Sequence, residues 1–334
     1  MPGLEHDRFC DEIVAQTALL TDVVSGADLS VTVPTTPDWT LAALVRHIGG
    51  NLRSLEQAVR TGTAVTEPER QVPGHGGPPG DDPAALDAWL SEAAGRCAAT
   101  LRAAGPDAQA QVWTIVWPVA SWARRAAHDL VIHRADAAGA VGAAYTVAPD
   151  LAADALDEFL DLMGNLQVAE AAAADGDPGP QGTVHLHATD TGPEVASEWL
   201  IELASPGFTW RHAHDKATVA VRGPIADVLR VTYRRLPPDT EGVEVFGDRA
   251  LLDAWLSEAA GRCAATLRAA GPDAQAQVWT VVWPVAGWAR RAAHDLVIHR
   301  ADAAGAVGVA YTVAPDLAAD ALDEFLDLMG NLQV

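Results

Sequence analysis

Along the first half of the chain, apolar positions recur at helical spacing. Phe9, Ile13, Leu19 and Leu20 form one stripe over residues 5–24. A second helix opens at TTPDWT, with Thr36 as candidate N-cap and Pro37 in the first turn, and runs to about Arg60. The stretch TEPERQVPGHGGPPGDDP is too rich in Gly and Pro for either period and reads as a loop. Pro83 after Asp82 starts a third helix that ends near Gly105, and Pro118 starts a fourth. Four helices with short or flexible connections predict a four-helix bundle over 1–168, with a further helix from about Asp150 leading out of it. After an Ala/Gly/Pro linker over 169–181 the period changes. GTVHLHAT, SEWLIELAS, FTWRHA and ATVAVRG alternate or run apolar over strand lengths. PIADVLRVTYRRL then reads as an amphipathic helix, VEVF as a short strand and DRALLDAWL as a closing helix, so 182–256 is a small α+β domain. The fold class is α+β and multidomain.

The chain then repeats itself. Residues 252–334 copy residues 86–168, with Val281, Gly287 and Val309 in place of Ile115, Ser121 and Ala143 as the only differences. The unit appears only twice, with different sequence between the copies, so this is a partial duplication and not a solenoid. The second copy lacks any counterpart of residues 1–85 and is an incomplete bundle. Its helices can compete with those of the first copy. The first closes the shorter loop, which favours it by about 2 kcal/mol. The displaced apolar stripe would then need cover, and self-association through the duplicated helices is one way to supply it.

Composition narrows the partners. A net charge of −23 offers no basic face to phosphates, which excludes nucleic acid and anionic membrane in favour of a small-molecule substrate. Lys216 is the only lysine, and the alanine- and arginine-rich composition fits a GC-rich bacterial genome. The first residues carry no basic segment followed by an apolar one, and no run reaches 18 apolar residues, so the expected location is cytoplasmic. Cys10, Cys97 and Cys263 lack C-x-x-C spacing and imply buried, inert thiols rather than a disulfide framework.

The densest chemistry lies in RRAAHDLVIHRADA. Asp129 and His133 are one helical turn apart, about 40° on the wheel, and align with Trp122 and Ala126 on the face that should be buried. A carboxylate and an imidazole so placed can hold a metal, and a histidine from another helix would complete a three-ligand site with an open position. His47, beside Ile48 at the edge of the second helix's apolar stripe, is the candidate. His128 lies about 140° from His133 and should not share that metal. From spacing alone, an ordinary hydrogen-bonded pair and a core histidine explain these residues more economically. His185 and His187 share a strand face without an evident third ligand, and His212 with His214 has the same weakness, so a metal there is not expected. Trp113, Trp117 and Trp122 read as core anchors.

TPDWTLAALVRHIGG and WARRAAHDLVIHRADA, followed by DALDEFL, resemble the mycothiol-dependent maleylpyruvate isomerases and their relatives, whose N-terminal domain is a DinB-like helical bundle. The resemblance covers residues 1 to about 256 and includes VRGPIADVL and VEVFGDRALLDAWL. It implies that His47, Asp129 and His133 hold a divalent metal, zinc first, with Asp129 standing where the family usually has glutamate. It further implies a low-molecular-weight thiol, mycothiol, bound to the metal as thiolate. Thiolate addition to the double bond of a cis-enedioic keto acid, rotation and elimination would give the trans isomer. Arg235 matches an arginine used near the substrate and would hold a carboxylate, Arg234 stands where glycine is usual, and Asp136 would orient a ligand. A catalytically inactive metal-binding or self-association module of the same fold is the alternative.

Overall fold

In the computed structural model of the chain, the described residues are 4–113, 115–171, 181–204 and 208–257, with the strands 275–278 and 281–284. The chain forms two compact units, Met1–Leu256 and Ser257–Val334.

The first unit begins with α1 (His6–Val24). A short antiparallel ribbon follows, β1 (Thr32–Val33) against β2 (Thr36–Thr40). The expectation that Thr36 caps the second helix is therefore corrected. Residues 36–40 are extended and pair backward, and Thr40 is the cap, its hydroxyl accepting from Ala43 N at 3.2 Å. The helix, α2 (Leu41–Thr61), buries Leu41, Leu44, Val45, Ile48, Leu52 and Leu55 and stops at Gly62, whose φ of 62° lies in the left-handed region. The predicted loop holds one short turn of helix, α3 (Pro68–Gln71). The third long helix, α4 (Pro83–Ala104), starts where expected, with the Asp82 carboxylate accepting from Ala85 N.

An antiparallel hairpin not anticipated from the sequence precedes the fourth long helix: β3 (Gln109–Val112) against β4 (Ile115–Pro118). Two four-residue strands two residues apart carry a hairpin pattern that the helix signal of Pro118 masked. The hairpin feeds α5 (Val119–Val141). Helix α1 packs on α5 and α4, and α2 packs on α4 and α5, closing a four-helix core around Ile13, Leu44, Ile48, Leu90 and Leu130.

Two glycines on α2 permit this packing. A Cβ on Gly49 would overlap the Trp89 ring of α4, and one on Gly50 would stand 2.9 Å from the His75 imidazole. Gly49→Ala should therefore destabilise the protein by about 1–3 kcal/mol despite the helix propensity of alanine, as read by urea denaturation. An unchanged midpoint would show that Trp89 moves aside freely.

The long helix α6 (Pro149–Ala171) extends past the expected bundle boundary at 168 and packs on the sheet domain. Its Asp157 accepts from Trp199 Nε1 at 2.6 Å, and its Asp161 from Trp210 Nε1 at 3.1 Å. Most of the expected linker, residues 172–180, lies outside the described residues. The sheet comprises β5 (Gly182–Ala188), β6 (Glu198–Leu203), β7 (Phe208–Arg211) and β8 (Val219–Gly223), then α7 (Ile225–Thr232) and β9 (Glu244–Gly247). Their order is β7-β6-β5-β8-β9, with β5 and β8 parallel and the other pairs antiparallel. Val184, Leu186, Trp199, Ile201, Val219 and Val221 share the apolar face, and a helix over 249–257 closes the unit with Leu252 and Trp255 buried.

In the second unit one hairpin is described, β10 (Gln275–Val278) against β11 (Val281–Pro284). Gln275 faces Pro284 as Gln109 faces Pro118, so the repeated sequence repeats its local pairing. The first copy supplies α4 and α5 of the bundle. The packing of the second copy, together with Asp295, His299 and Cys263, lies outside the described residues.

Candidate metal centre

Helices α2 and α5 bring His47, Asp129 and His133 together. One ligand atom from each lies within 4.8 Å of the other two. The two imidazoles meet edge to face with centroids 5.1 Å apart, and His133 Nε2 stands 3.7 Å from Asp129 Oδ1. Trp39, on β2, packs against His47 with the rings tilted at 45° and centroids 4.5 Å apart, and reaches His133 at 6.2 Å, so the unexpected ribbon forms one wall of the site.

Neighbouring side chains engage each of the three residues. Asp136, fully buried, lies 3.0 Å from His133 Nδ1, which directs the ring's Nε2 toward Asp129. Thr35 donates to the same Asp136 carboxylate at 2.5 Å, and Arg235 Nε pairs with it at 2.9 Å. Asn51, which sequence reasoning did not single out, lies one turn beyond His47, with its amide nitrogen 3.1 Å from His47 Nε2 and a further bond to Asp129. Its amide hydrogens join two acceptors that a cation would otherwise join. The helical spacing of 47 and 51 was the available signal.

The electrostatics favour a ligand-competent state. Burial, reinforced by His133 and His75, lowers the His47 pKa to about 4 against the pull of Asp129, so the ring is neutral at pH 7. For Asp129, burial acts upward, but His133, Arg125, His47 and the Asn51 bond together hold the carboxyl below its ordinary range. Arg125 Nη2 lies 3.8 Å from Asp129, while its Nη1 is bound to Glu158 at 2.8 Å. Asp129 and Asn51 border a cavity of about 140 Å³ whose walls include Trp113, Trp122, Leu55 and Arg125. Trp122 is a core anchor, its Nε1 donating to Ala110 O. Trp113 packs, partly buried, against the same core and also lines the cavity from a hairpin turn, with φ of 52°.

His128 points elsewhere, as its wheel position implies. Fully buried, it contacts Glu158 at 2.9 Å and Asp154 at 3.3 Å, tying α5 to α6. Cys10 and Cys97 are buried free thiols, and burial pushes the Cys10 pKa up to about 11 and that of Cys97 higher still. Arg235 follows α7, and its side chain is 24% exposed. Arg234 before it has φ of 59°, the left-handed conformation for which glycine is the unstrained residue. The reading of His185, His187 and His214 is corrected. Glu198, opposite His187 on β6, joins all three in a second cluster of possible ligands, a neighbour that only strand pairing could reveal.

With this geometry in place, the comparisons decide the family. The profile of the mycothiol maleylpyruvate isomerase N-terminal domain matches residues 10–138 and again 210–304, and that of the corresponding C-terminal domain matches 150–254. The chain belongs to the mycothiol maleylpyruvate isomerase family. The two N-terminal matches stop at Ala138 and Ala304, equivalent residues of the two copies. The C-terminal match starts at Asp150, which gives α6 to the second family domain and accounts for its packing on the sheet. Among solved structures, a mycothiol-dependent maleylpyruvate isomerase aligns with 73% of this chain and 95% of its own, at 16% identity and a TM-score of 0.48. A histidine-to-alanine mutant of such an isomerase aligns over the same shares at 16% identity and 0.47. Sterol carrier protein 2 like 2 from Aedes aegypti aligns with 31% of this chain and 97% of its own, at 20% identity and 0.22. No curated protein matches the sequence. Among the described residues, no helix is long and apolar enough to cross a membrane.

Proposed function

We propose that this chain is a thiol-dependent metalloenzyme of the maleylpyruvate isomerase type, with a DinB-like bundle holding a divalent metal through His47, Asp129 and His133. The observation that carries the reading is the convergence of those three ligand atoms within 4.8 Å, beside a cavity. The donors fit the ion. Two imidazoles and one carboxylate suit zinc, and three protein ligands leave a position for an exogenous thiol. Tetrahedral coordination places ligand atoms about 3.3 Å apart, which small side-chain rotations can reach.

When bound, the metal would supply the charge that keeps a cysteinyl thiol, that of mycothiol, as thiolate at neutral pH. The residues of the chain do the rest. Asp136 holds the His133 imidazole in orientation, and Asn51, bonded to His47 Nε2, releases that nitrogen when the metal binds. Trp39 and the cavity wall restrict water around the reacting thiol. Arg235, engaged at Nε by Asp136 and at Nη1 by Tyr233 O, is the candidate to hold a carboxylate of a small unsaturated acid through Nη2, giving orientation rather than bond-making. The substrate is an activated alkene that the thiolate adds to, allowing rotation and elimination or thiol transfer. Asp129 is one methylene shorter than the family's glutamate and already engaged by Arg125 and Asn51, which supports a metal-binding module without turnover as the second reading.

Elemental analysis of purified protein beside His47→Ala tests the proposal. The variant should lose about one equivalent of metal per chain, and thiol-dependent cis-trans isomerisation of a small keto diacid should disappear with it. Metal lost without any thiol-dependent turnover in the wild type would favour the second reading. Equal metal contents would remove the bundle site altogether.

A further inference from the structure

The sheet gathers a second set of metal-binding side chains that the bundle site does not use. His185 and His187 alternate on β5 and so share a face, opposite the apolar one formed by Val184 and Leu186. Glu198 pairs directly across from His187 on β6, which places its carboxylate between the two rings, 3.5 Å from His185 Nε2 and 3.6 Å from His187 Nδ1. His214 reaches back from the loop after β7, with Nδ1 2.6 Å from Glu198 Oε2. One ligand atom from each of the four residues lies within 4.8 Å of all the others.

The arrangement of the rings has the form of a cation site. Their centroids are 5.6, 5.8 and 6.1 Å apart, and their planes stand at 84°, 63° and 80° to one another. Three imidazoles on one tetrahedral zinc would have centroids about 5 Å apart, so the cluster needs only slight contraction. Its hydrogen bonding is incomplete in the same sense. His185 is 6% exposed, yet its Nε2, aimed at the cluster, has only the loose contact with Glu198 at 3.5 Å and no well-formed hydrogen bond. Each neutral imidazole brings a lone pair as well as a proton, and Glu198 adds only acceptors. Four side chains thus bring more lone pairs than protons to one point, with one buried ring nitrogen only loosely partnered, which a cation remedies.

We propose that His185, His187, Glu198 and His214 form a second divalent-metal site, of the zinc class, in the sheet domain. Four protein ligands close the coordination sphere, so the metal is structural and not catalytic. It fastens the loop carrying His214, which is 77% exposed, to the sheet through β5 and β6. The site is independent of the bundle metal and of any thiol chemistry.

Cobalt(II) titration of the full-length chain tests this, read by bound equivalents and by the visible absorption of tetrahedral cobalt. The His47→Ala background silences the bundle site. That variant should still bind one equivalent with a tetrahedral spectrum. Adding His187→Ala should abolish it. Adding His214→Ala, at an exposed position on which folding does not depend, should weaken it by more than the roughly 10- to 100-fold that loss of an outer partner costs. Circular dichroism establishes that each variant is folded. A His47→Ala protein that binds no cobalt overturns the proposal, as does binding that both additional substitutions leave unchanged. The second copy, residues 252–334, contains none of the four ligands, so any cobalt it takes up is the same in all three variants and cancels.

Discussion

With alanine at His133, the protein should lose its bundle metal and, if the proposed chemistry holds, at least about three orders of magnitude of thiol-dependent turnover. His133 is the ligand most firmly prepared by the fold. Its ring is 10% exposed, its Nδ1 is committed to Asp136 and its Nε2 is directed toward Asp129. Two remaining ligands, one of them 3.8 Å from the Arg125 guanidinium, make a weak site, because a metal in water is given up when fewer donors compete with hydration. The thiol would then titrate near its ordinary value of about 8.5 and be a few per cent thiolate at pH 7. Removing the charge that stabilises the nucleophile, and the open position that aligns it, accounts for about 4 kcal/mol or more of barrier, hence the three orders. Metal content and steady-state kinetics on the same preparation check this. A variant that keeps both would mean that His133 is only a partner for Asp136.

That Asp129 and His133 would meet was legible because helical spacing places side chains by counting. Asp129 and His133 share a face through their four-residue separation alone, and His128 is turned away by the same arithmetic. What counting could not supply was pairing between segments distant in sequence. Glu198 joins His185 and His187 only because β6 lies against β5 in a register that sets 198 opposite 187, and a register cannot be read from either strand alone. Trp39 illustrates the same limit. Thr36 and Pro37 carry an acceptable helix-start signal, but Leu41 N and Ala42 N bond back to Val31 O and Leu29 O, so the segment stays extended and delivers Trp39 to His47. Local propensity was overridden at the point where the wall of the site is built.

The duplicated sequence sharpens that distinction. Its copies are nearly identical, and the two described hairpins pair in the same register, so local structure follows local sequence. A complete site does not. Asp129 and His133 become part of a three-ligand constellation because α2 supplies His47, and the second copy has no such helix in its sequence. Any metal affinity of Asp295 and His299 rests on two ligands, and self-association is the remaining proposed role for that segment.

Asp136 is where stability and site chemistry meet, and Asp136→Asn should affect both. Burial acts to raise its pKa, yet the His133 bond, Arg235 and Thr35 together hold the carboxyl below its ordinary 3.8. The amide keeps the shape but removes the charge, leaving Arg235 facing a neutral group. Breaking a buried ion pair costs about 3–5 kcal/mol, and the partial exposure of Arg235 puts the expected loss at the lower end, about 3 kcal/mol. Because the folded-state pKa is depressed, the contribution is complete above the ordinary value and is lost as pH falls through the folded one. The difference between wild type and variant should therefore narrow below about pH 4. Metal affinity should fall by about 10- to 100-fold, since the amide can no longer fix the His133 tautomer as a carboxylate does. Adding Arg235→Met separates the effects. Removing the unpaired cation should restore most of the stability and none of the metal affinity, because the first depends on the ion pair and the second on the bond to His133 Nδ1. Recovery of both would show that Asp136 serves the metal only by keeping the local structure intact.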